Sequence, residues 1–135
     1  MADFIDFAGL TRPSSPNTCL VAPDGLCRNA AADWTAPVFN LAPAELARAV
    51  RGVISSQGSW KNLAVSDDGL GFHFVAVTAL LRFKDDIHIR VLPSKGSGST
   101  IAIYSASRIG HSDLGANKKR VQNVLAMLEE EAIVA

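Results

Sequence analysis

The alternation of hydrophobic and polar residues predicts five β-strands. They lie at residues 33–41, 60–67, 72–83, 86–91 and 100–108. Pro37 confines the first strand to a sheet edge or a bulge, because proline lacks the N–H that a central strand needs. The strand at 72–83 is apolar on both faces, so we expect it to be central and at least partly covered on both sides. Turns are predicted at Asp68-Gly69, at Lys84-Asp85 and at residues 94–98.

Hydrophobic residues at helical spacing predict two amphipathic helices. The first begins at Pro43, carries Glu45 near the positive end of the helix dipole, and ends at Gly58. The second extends from about Leu114 to about Glu131. Their apolar stripes are formed by Leu46, Val50, Val53 and Ile54, and by Leu114, Val121, Val124, Leu125 and Leu128.

The order of these elements is β-α-β-β-β-β-α, with short connections between the last four strands. Short hairpins make a sheet antiparallel, and two amphipathic helices can cover only one of its faces. We therefore expect an α+β fold: a five-stranded antiparallel sheet with two helices on one face and a groove on the other. Trp34 and Phe74 should be largely buried. Residues 1–32 are rich in turn formers and are expected to be an irregular N-terminal arm, and residues 33–135 a single α+β domain.

The composition narrows the classes of function. A chain of 135 residues and 14.3 kDa is long enough for one domain with a single core. Lys+Arg and Asp+Glu are equal at 13 each, and aromatic and basic residues are not interleaved, so the sequence argues against nucleic-acid binding. No apolar run approaches the roughly 18–20 residues that span a bilayer, and we see no signal-peptide pattern. We therefore expect a soluble domain.

Polar residues that solubility alone does not explain cluster where the last strand gives way to the last helix. Arg108 and Arg120 could each face Asp113 or the Asp85-Asp86 pair. One interpretation is a set of ion pairs that close the fold, worth ~0–1 kcal/mol each near the surface. The other is an anion pocket beside the N-terminal amides of the helix.

Asn117 is the polar residue hardest to explain, because it lies between Leu114 and Val121 on the inward stripe of the last helix. A buried amide without partners costs on the order of 1–3 kcal/mol. A structural interpretation makes Asn117 a clamp that hydrogen-bonds backbone near residues 105–108. A functional interpretation makes it face a ligand beside Arg108.

Catalysis by a nucleophile would have to use Ser105, Ser107 or Ser112 with His111 and Asp113. Side chains adjacent in sequence diverge, and such triads are normally assembled from separate segments. Ser112 and Asp113 are better explained as helix caps. No serine has the flanking glycines of a nucleophile elbow, so hydrolysis is the less favoured interpretation.

Metal ligands are scarce as well. With a hairpin centred on Lys84-Asp85, His88 lies several residues from His73, so a three-histidine site is not expected. Asp85 and Asp86 point to opposite faces of their strand and do not form an acid–base dyad. We expect no metal and no other cofactor.

Two cysteines, Cys19 and Cys27, stand eight positions apart in a segment rich in Pro, Gly and Asn. In an oxidising compartment they would form a disulfide, and in the cytosol they would remain thiols. The residues alone leave both interpretations open. A metal site would need two further ligands, and no histidine lies nearby.

Two blocks of sequence resemble a known family. Arg-Phe-Lys-Asp-Asp at residues 82–86 and Ser-Ala-Ser-Arg-Ile-Gly-His-Ser-Asp-Leu-Gly-Ala-Asn-Lys-Lys-Arg at residues 105–120 are similar to the paired signature of the domain-of-unknown-function family DUF1499. The resemblance covers residues 16–128. It implies a location in the bacterial envelope, or the lumen in plants, behind an N-terminal anchor. It thereby favours a Cys19–Cys27 disulfide, although many members read Ser-Pro-Asn-Cys where this chain has Thr18 before the cysteine.

The residues and the resemblance together predict an uncharacterised cell-envelope domain, periplasmic in a bacterium. Its expected role is a non-catalytic binding or scaffolding module with a polar, anion-binding site between the last strand and the last helix. The alternative is a small-molecule, hydrolase-like enzyme that uses the same pocket. The partner is open, and an N-terminal anchor absent from the chain would associate it with a membrane. The candidate ligand-binding residues are Arg82, Asp85, Asp86, Ser105, Ser107, Arg108, Ser112, Asp113, Asn117 and Arg120.

Overall fold

The computed structural model describes residues 4–78, 82–94, 96–109 and 115–134. These residues form an α+β fold, as predicted, with a 3-10 turn at Phe7–Gly9 near the start. The strands are β1 (Thr18–Ala22), β2 (Trp34–Thr35), β3 (Trp60–Val65), β4 (Gly71–Val77), β5 (Lys84–Pro93) and β6 (Ser99–Ser107). The helices are α1 (Pro43–Ser55) and α2 (Ala116–Val134). Among the described residues, neither helix is long and apolar enough to cross a membrane.

The strands form one mixed sheet in the order β2-β1-β6-β5-β4-β3. β1 and β2 are parallel, and the other neighbours are antiparallel. The prediction of five antiparallel strands was therefore wrong, because it placed no strand in the N-terminal arm. β1 is fixed there by contacts that its own sequence does not show. Asp33 accepts a hydrogen bond from the Leu20 N–H at 2.9 Å, and Arg12 donates to the Thr18 carbonyl at 3.2 Å.

The strand expected at residues 33–41 is much shorter in the structure. Only β2 and one isolated bridge between Phe39 and Ser99 remain of it. Pro37 interrupts the strand, and its carbonyl accepts a hydrogen bond from the Thr100 hydroxyl at 2.8 Å. Trp34 is consequently only half-buried at the sheet edge, less than expected, whereas Phe74 in β4 is fully buried.

The β4–β5 connection differs from the predicted hairpin. Lys84 already pairs with Val77, so the predicted Lys84-Asp85 turn is the start of β5 instead. Thr78 closes the connection, because its N–H donates to the Phe83 carbonyl and its hydroxyl accepts from the Phe83 N–H, both at 2.8 Å. Arg82 in this connection adopts a left-handed backbone conformation, with φ of 57°. The shift in register changes which residues of β4 and β5 face each other.

Both helices pack on one face of the sheet, as predicted. Glu45 accepts the Ala42 N–H at 3.0 Å and so caps the first turn of α1. Alternate residues of β4, β5 and β6 point toward the helices. The helix-side core contains Leu46, Val50, Val53 and Ile54 of α1, Val121, Val124 and Leu128 of α2, and Phe72, Phe74, Ile87, Ile89, Ile101 and Ile103 of the sheet.

The opposite face is not the open groove that we expected. The N-terminal segment crosses it and buries Phe7 against Leu20, Ala102 and Tyr104. Leu10 packs on the same cluster. The sheet therefore has a helix-covered face and a face that the arm covers in part, and we call them the helix side and the arm side.

Candidate functional site

Five polar side chains meet on the helix side, at the end of the sheet where β5 begins and β6 ends. Asp85 stands directly opposite Ser107 in the β5–β6 register, and Ser105 precedes Ser107 on the same face. α2 contributes Asn117 and Arg120, which are neighbours on the helix surface because they are three residues apart. We call these five residues the helix-side network.

The Asp85 side chain is 1% exposed and points toward the helices, because it shares its face with Ile87. Its Oδ2 lies 2.9 Å from Nη2 of Arg120. However, no N–H of that guanidinium is directed at the oxygen, and neither Asp85 oxygen receives a hydrogen bond from the described residues. Charge attraction therefore holds the pair, and removal of either partner would leave a buried charge uncompensated.

The Arg120 guanidinium is held by three neighbours. Nη1 donates to the Ser105 hydroxyl at 3.1 Å and to Asn117 Oδ1 at 2.8 Å. Nη2 lies 2.9 Å from Asp85 Oδ2. Arg120 is thus oriented by its neighbours before any ligand arrives.

Asn117 is fully buried, as predicted. Its Oδ1 accepts from the Ser105 hydroxyl at 2.6 Å, and its Nδ2 donates to the Ser107 hydroxyl at 2.9 Å. Nδ2 also donates to the carbonyl of Asn17 at 3.0 Å. These contacts tie α2 to β6, as the clamp interpretation requires, but through serine hydroxyls and the Asn17 backbone instead of the backbone at residues 105–108.

A second polar cluster lies on the arm side, one residue further along β5. Arg108 donates to both Asp86 oxygens, from Nε at 2.8 Å and from Nη2 at 3.0 Å. Nε2 of His73 lies 3.0 Å from Oδ1 of the same carboxylate. The Arg108 hydrogen bonds are the main reason that the pKa of Asp86 lies below its usual range. We call Asp86, Arg108, His73 and His88 the arm-side network.

His73 and His88 face each other directly across β4 and β5. Their rings stack with centroids 4.4 Å apart and an interplanar angle of 9°. Burial, followed by the neighbouring His73, lowers the pKa of His88 from 6.5 to about 4. Nδ1 of His88 is buried and has no hydrogen-bond partner among the described residues. The prediction that these histidines lie several residues apart was wrong. The β4–β5 hairpin is centred between Val77 and Lys84, and not at Lys84-Asp85.

A groove of about 570 Å³ runs along α2 beside the helix-side network. Arg120 forms part of its wall, together with Lys119, and Glu130 lies toward its other end. Trp60 provides an aromatic surface whose ring stacks on Phe74 at 4.8 Å between centroids. The remaining lining residues are Gln57, Ala116, Asn123, Ala126 and Met127. The groove therefore combines an apolar surface with two cationic side chains at one end.

The sheet divides the predicted site into two parts. Asp85, Ser105, Ser107, Asn117 and Arg120 come together on the helix side, whereas Asp86 and Arg108 pair on the arm side. The expectation that Asp85 and Asp86 occupy opposite faces is confirmed. Arg82 is exposed in the β4–β5 connection. The predicted site residues Ser112 and Asp113, and the neighbouring His111, lie outside the described residues.

The expected disulfide is absent, since Cys19 and Cys27 are both free thiols. Cys19 is buried in the helix-side core, whereas Cys27 packs on the arm-side cluster, so the sheet lies between them. Burial, with Asp33 as the second cause, raises the pKa of Cys19 to about 12. In the part of the chain that the structure describes, no group of three or more His, Cys, Asp or Glu side chains could hold a metal ion.

Sequence reasoning missed the groove residues Trp60, Lys119 and Met127. A signal was present in α2, because Ala116, Lys119, Asn123, Ala126 and Glu130 recur at helical spacing beside the apolar stripe. This line of small and polar residues indicates a side of α2 that is not covered by large side chains of the core. Trp60 offered no comparable signal, since its position depends on how β3 meets α1.

The fold and the two networks define a small α+β domain in which adjacent aspartates of one strand bind arginines on opposite faces of a mixed sheet. The family model described as "Protein of unknown function (DUF1499)" matches residues 11–128. The chain therefore belongs to the DUF1499 family. No curated protein matches it.

Proposed function

We propose that the protein is a non-catalytic binding module whose ligand occupies the groove between α2 and Trp60 and presents an anionic group to Arg120. The observation that carries this proposal is the position and fixed orientation of the Arg120 side chain. It forms part of the groove wall while Ser105 and Asn117 fix its orientation from behind. A guanidinium oriented in advance loses little entropy on binding, and it suits carboxylates and phosphates.

The chemistry of the groove indicates the kind of ligand. Trp60, Ala126 and Met127 offer an apolar surface, and Lys119 adds a second cation beside Arg120. An amphipathic molecule with an acidic head and an apolar body fits both parts. Glu130 at the other end would oppose a second anionic group there.

Among the described residues, no nucleophile lies beside a base, and this supports a binding role. The hydroxyls of Ser105 and Ser107 bond to Asn117, and among the described residues no imidazole contacts them. His73 and His88 lie on the arm side of the sheet. Nucleophilic catalysis needs a base within hydrogen-bond reach of the hydroxyl, and the helix-side network supplies none.

A small-molecule enzyme in the same groove is the second candidate. It is favoured by Asp85, a buried carboxylate that accepts no hydrogen bond from the described residues. Asp85 does not line the groove, so it becomes a candidate general base only where a ligand displaces its partner Arg120. Mass analysis of a bound compound after incubation separates the two functions, because a binding module returns the compound unchanged.

The binding proposal is tested by calorimetric titration with dodecanoate, and with dodecanol as the uncharged probe of equal length. We expect dodecanoate to bind and dodecanol to bind more weakly. Asn123→Trp should fill the groove and abolish binding, whereas the control Gln122→Trp changes the neighbouring exposed position on α2. Equal binding of dodecanoate to both variants, or no binding to the parent protein, would contradict the groove as the site.

We also propose that the protein works in the cell envelope, and the support for this location is the resemblance to envelope members of the family. Fractionation of the source cells, with an antibody against this domain, provides the test. Recovery of the protein in the cytosolic fraction would contradict the location without affecting the groove.

A further inference from the structure

One end of the molecule combines exposed apolar side chains with basic ones. β5 begins, β6 ends and α2 begins at this end. The Arg108 N–H donates to the Lys84 carbonyl at 3.1 Å, so the β5–β6 register continues beyond the sheet. Phe83 precedes Lys84 and Ile109 follows Arg108, and the exposed fractions of these two apolar residues are 40% and 60%. We call the following residues the basic end: Arg82, Phe83, Lys84, Ile109 and Lys119.

The cations of the basic end are not neutralised locally. Arg82, Lys84 and Lys119 are exposed, and none of them forms an ion pair with a described acidic residue. The acids next to them in the chain, Asp85 and Asp86, are already paired with arginines. Among the described residues at this end, positive charge is therefore in excess.

A run of acidic residues lies on α2, away from the basic end. α2 leads away from the basic end and carries Glu129, Glu130 and Glu131 near its far terminus. A helix of its length places them about 20 Å away from its start. The β3–β4 turn adds Asp67, whereas Asp68 beside it is paired with Arg90. The chain has 13 basic and 13 acidic residues, so the positive charge of the basic end is offset elsewhere in the molecule.

We propose that the basic end docks on a bilayer surface that contains anionic lipids, with Phe83 and Ile109 entering the headgroup region. Arg82, Lys84 and Lys119 would bind lipid phosphates. Aromatic and aliphatic side chains flanked by Lys and Arg are the combination that partitions into membrane interfaces. An acidic protein surface would satisfy the cations, but it would leave the two apolar side chains without an apolar environment. Lys119 also lines the groove, but Arg82, Phe83, Lys84 and Ile109 do not, so the inference does not depend on a ligand in the groove.

Co-sedimentation with vesicles is the direct test. The protein should bind vesicles of phosphatidylcholine mixed with phosphatidylglycerol, bind pure phosphatidylcholine weakly, and dissociate as salt rises. Arg82→Gln with Lys84→Gln should weaken binding about 25-fold, because each basic residue near such a surface contributes about fivefold. Arg48→Gln with Arg51→Gln removes the same charge from exposed positions of α1 and should have a smaller effect.

The apolar part has its own matched pair of variants. Ile109→Ser should weaken vesicle binding about tenfold. Val38→Ser, at a similarly exposed position of 66% near the bridge to the start of β6, should leave it unchanged. Equal effects of the two serine variants, or no binding to phosphatidylglycerol vesicles at low salt, would overturn the proposal. So would sedimentation velocity showing self-association that Ile109→Ser abolishes while vesicle binding persists, because a second copy would then occupy this end.

Discussion

Asp85 and Asp86 are consecutive residues of one strand, and each pairs with an arginine from the segment after β6. Asp85 is 1% exposed and bonds to Arg120 through charge attraction, with neither oxygen accepting a hydrogen bond from the described residues. Asp86 is 27% exposed and accepts two well-directed hydrogen bonds from Arg108. The buried pair has the poorer geometry, and the accessible pair has the better one.

The comparison teaches that the quality of a contact and its importance to stability are different quantities. Water can replace Arg108 around Asp86, so loss of that arginine exposes a carboxylate that remains solvated. Water cannot readily replace Arg120 around Asp85, so its loss leaves a charge without compensation. The consequences of mutation should therefore follow burial more closely than hydrogen-bond geometry.

The largest effect is expected from Arg120→Met. It should lower the free energy of unfolding by ~3–5 kcal/mol, because Asp85 would remain buried without its counter-ion. Chemical denaturation followed by circular dichroism measures the change. Asp85→Leu combined with Arg120→Met removes both charges and should recover much of the loss. A double variant less stable than the single one would show that the pair itself, and not the orphaned charge, stabilises the fold.

Asn117→Leu should cost ~1–3 kcal/mol, because the Ser105 and Ser107 hydroxyls and the Asn17 carbonyl would each lose a partner. Thermal melts compared with Gln122→Leu, an exposed position on the same helix, isolate the effect of the network. If Asn117→Leu melts like the parent protein but no longer binds ligand, the clamp interpretation is wrong and Asn117 belongs to the binding site.

The stability contributed by the arm-side network should depend on pH. The folded protein lowers the pKa of His88 from 6.5 to about 4, so the unfolded chain binds more protons between these values. Stability should therefore fall by about 1–2 kcal/mol as the pH decreases from 6.5 to 4. His88→Phe should flatten the profile in this window. The lowered pKa of Asp86 removes stability only at more acidic pH, as that carboxylate protonates. Parallel profiles for the variant and the parent would contradict this role of His88.

The smallest effect is expected from Arg108→Ala, at ~0–1 kcal/mol, because its side chain is 44% exposed and the pair is screened by solvent. The difference from the parent protein should shrink further at high salt. Denaturation at low and high salt measures the free energy of unfolding of this variant. A loss as large as that of Arg120→Met would contradict the view that burial sets the importance of each pair.

The sequence was sufficient for the parts of the fold that depend on local pattern. Both helices, their shared face and the succession of the last four strands follow from periodicity. It failed where a distant residue decides the outcome: β1 is a strand because Asp33 and Arg12 hold it beside β6. The β4–β5 register failed for a related reason, since the polar pair Lys84-Asp85 belongs to a strand whose buried charge is compensated by α2.

The sequence identified many of the residues of the candidate site, but it did not predict how they pair. Alternation along β5 was enough to separate Asp85 from Asp86, and the inward stripe of α2 was enough to bury Asn117. Which arginine pairs with which aspartate could not be deduced, because that depends on how β6 leads into α2. The stack of His73 on His88 required a hairpin register that no local signal supplied.

The hydrogen bond from Asn117 to the Asn17 carbonyl joins residues 100 positions apart and has a consequence for synthesis on the ribosome. β1 emerges early, yet its long antiparallel partner is β6, and β2 offers it only two paired residues meanwhile. An apolar strand with an unpaired edge is prone to pair with other chains. The first strand to be translated gains its long partner only when β6 is made, and its contact with Asn117 only when α2 follows. Translation pauses before β6 should therefore increase aggregation of the nascent chain.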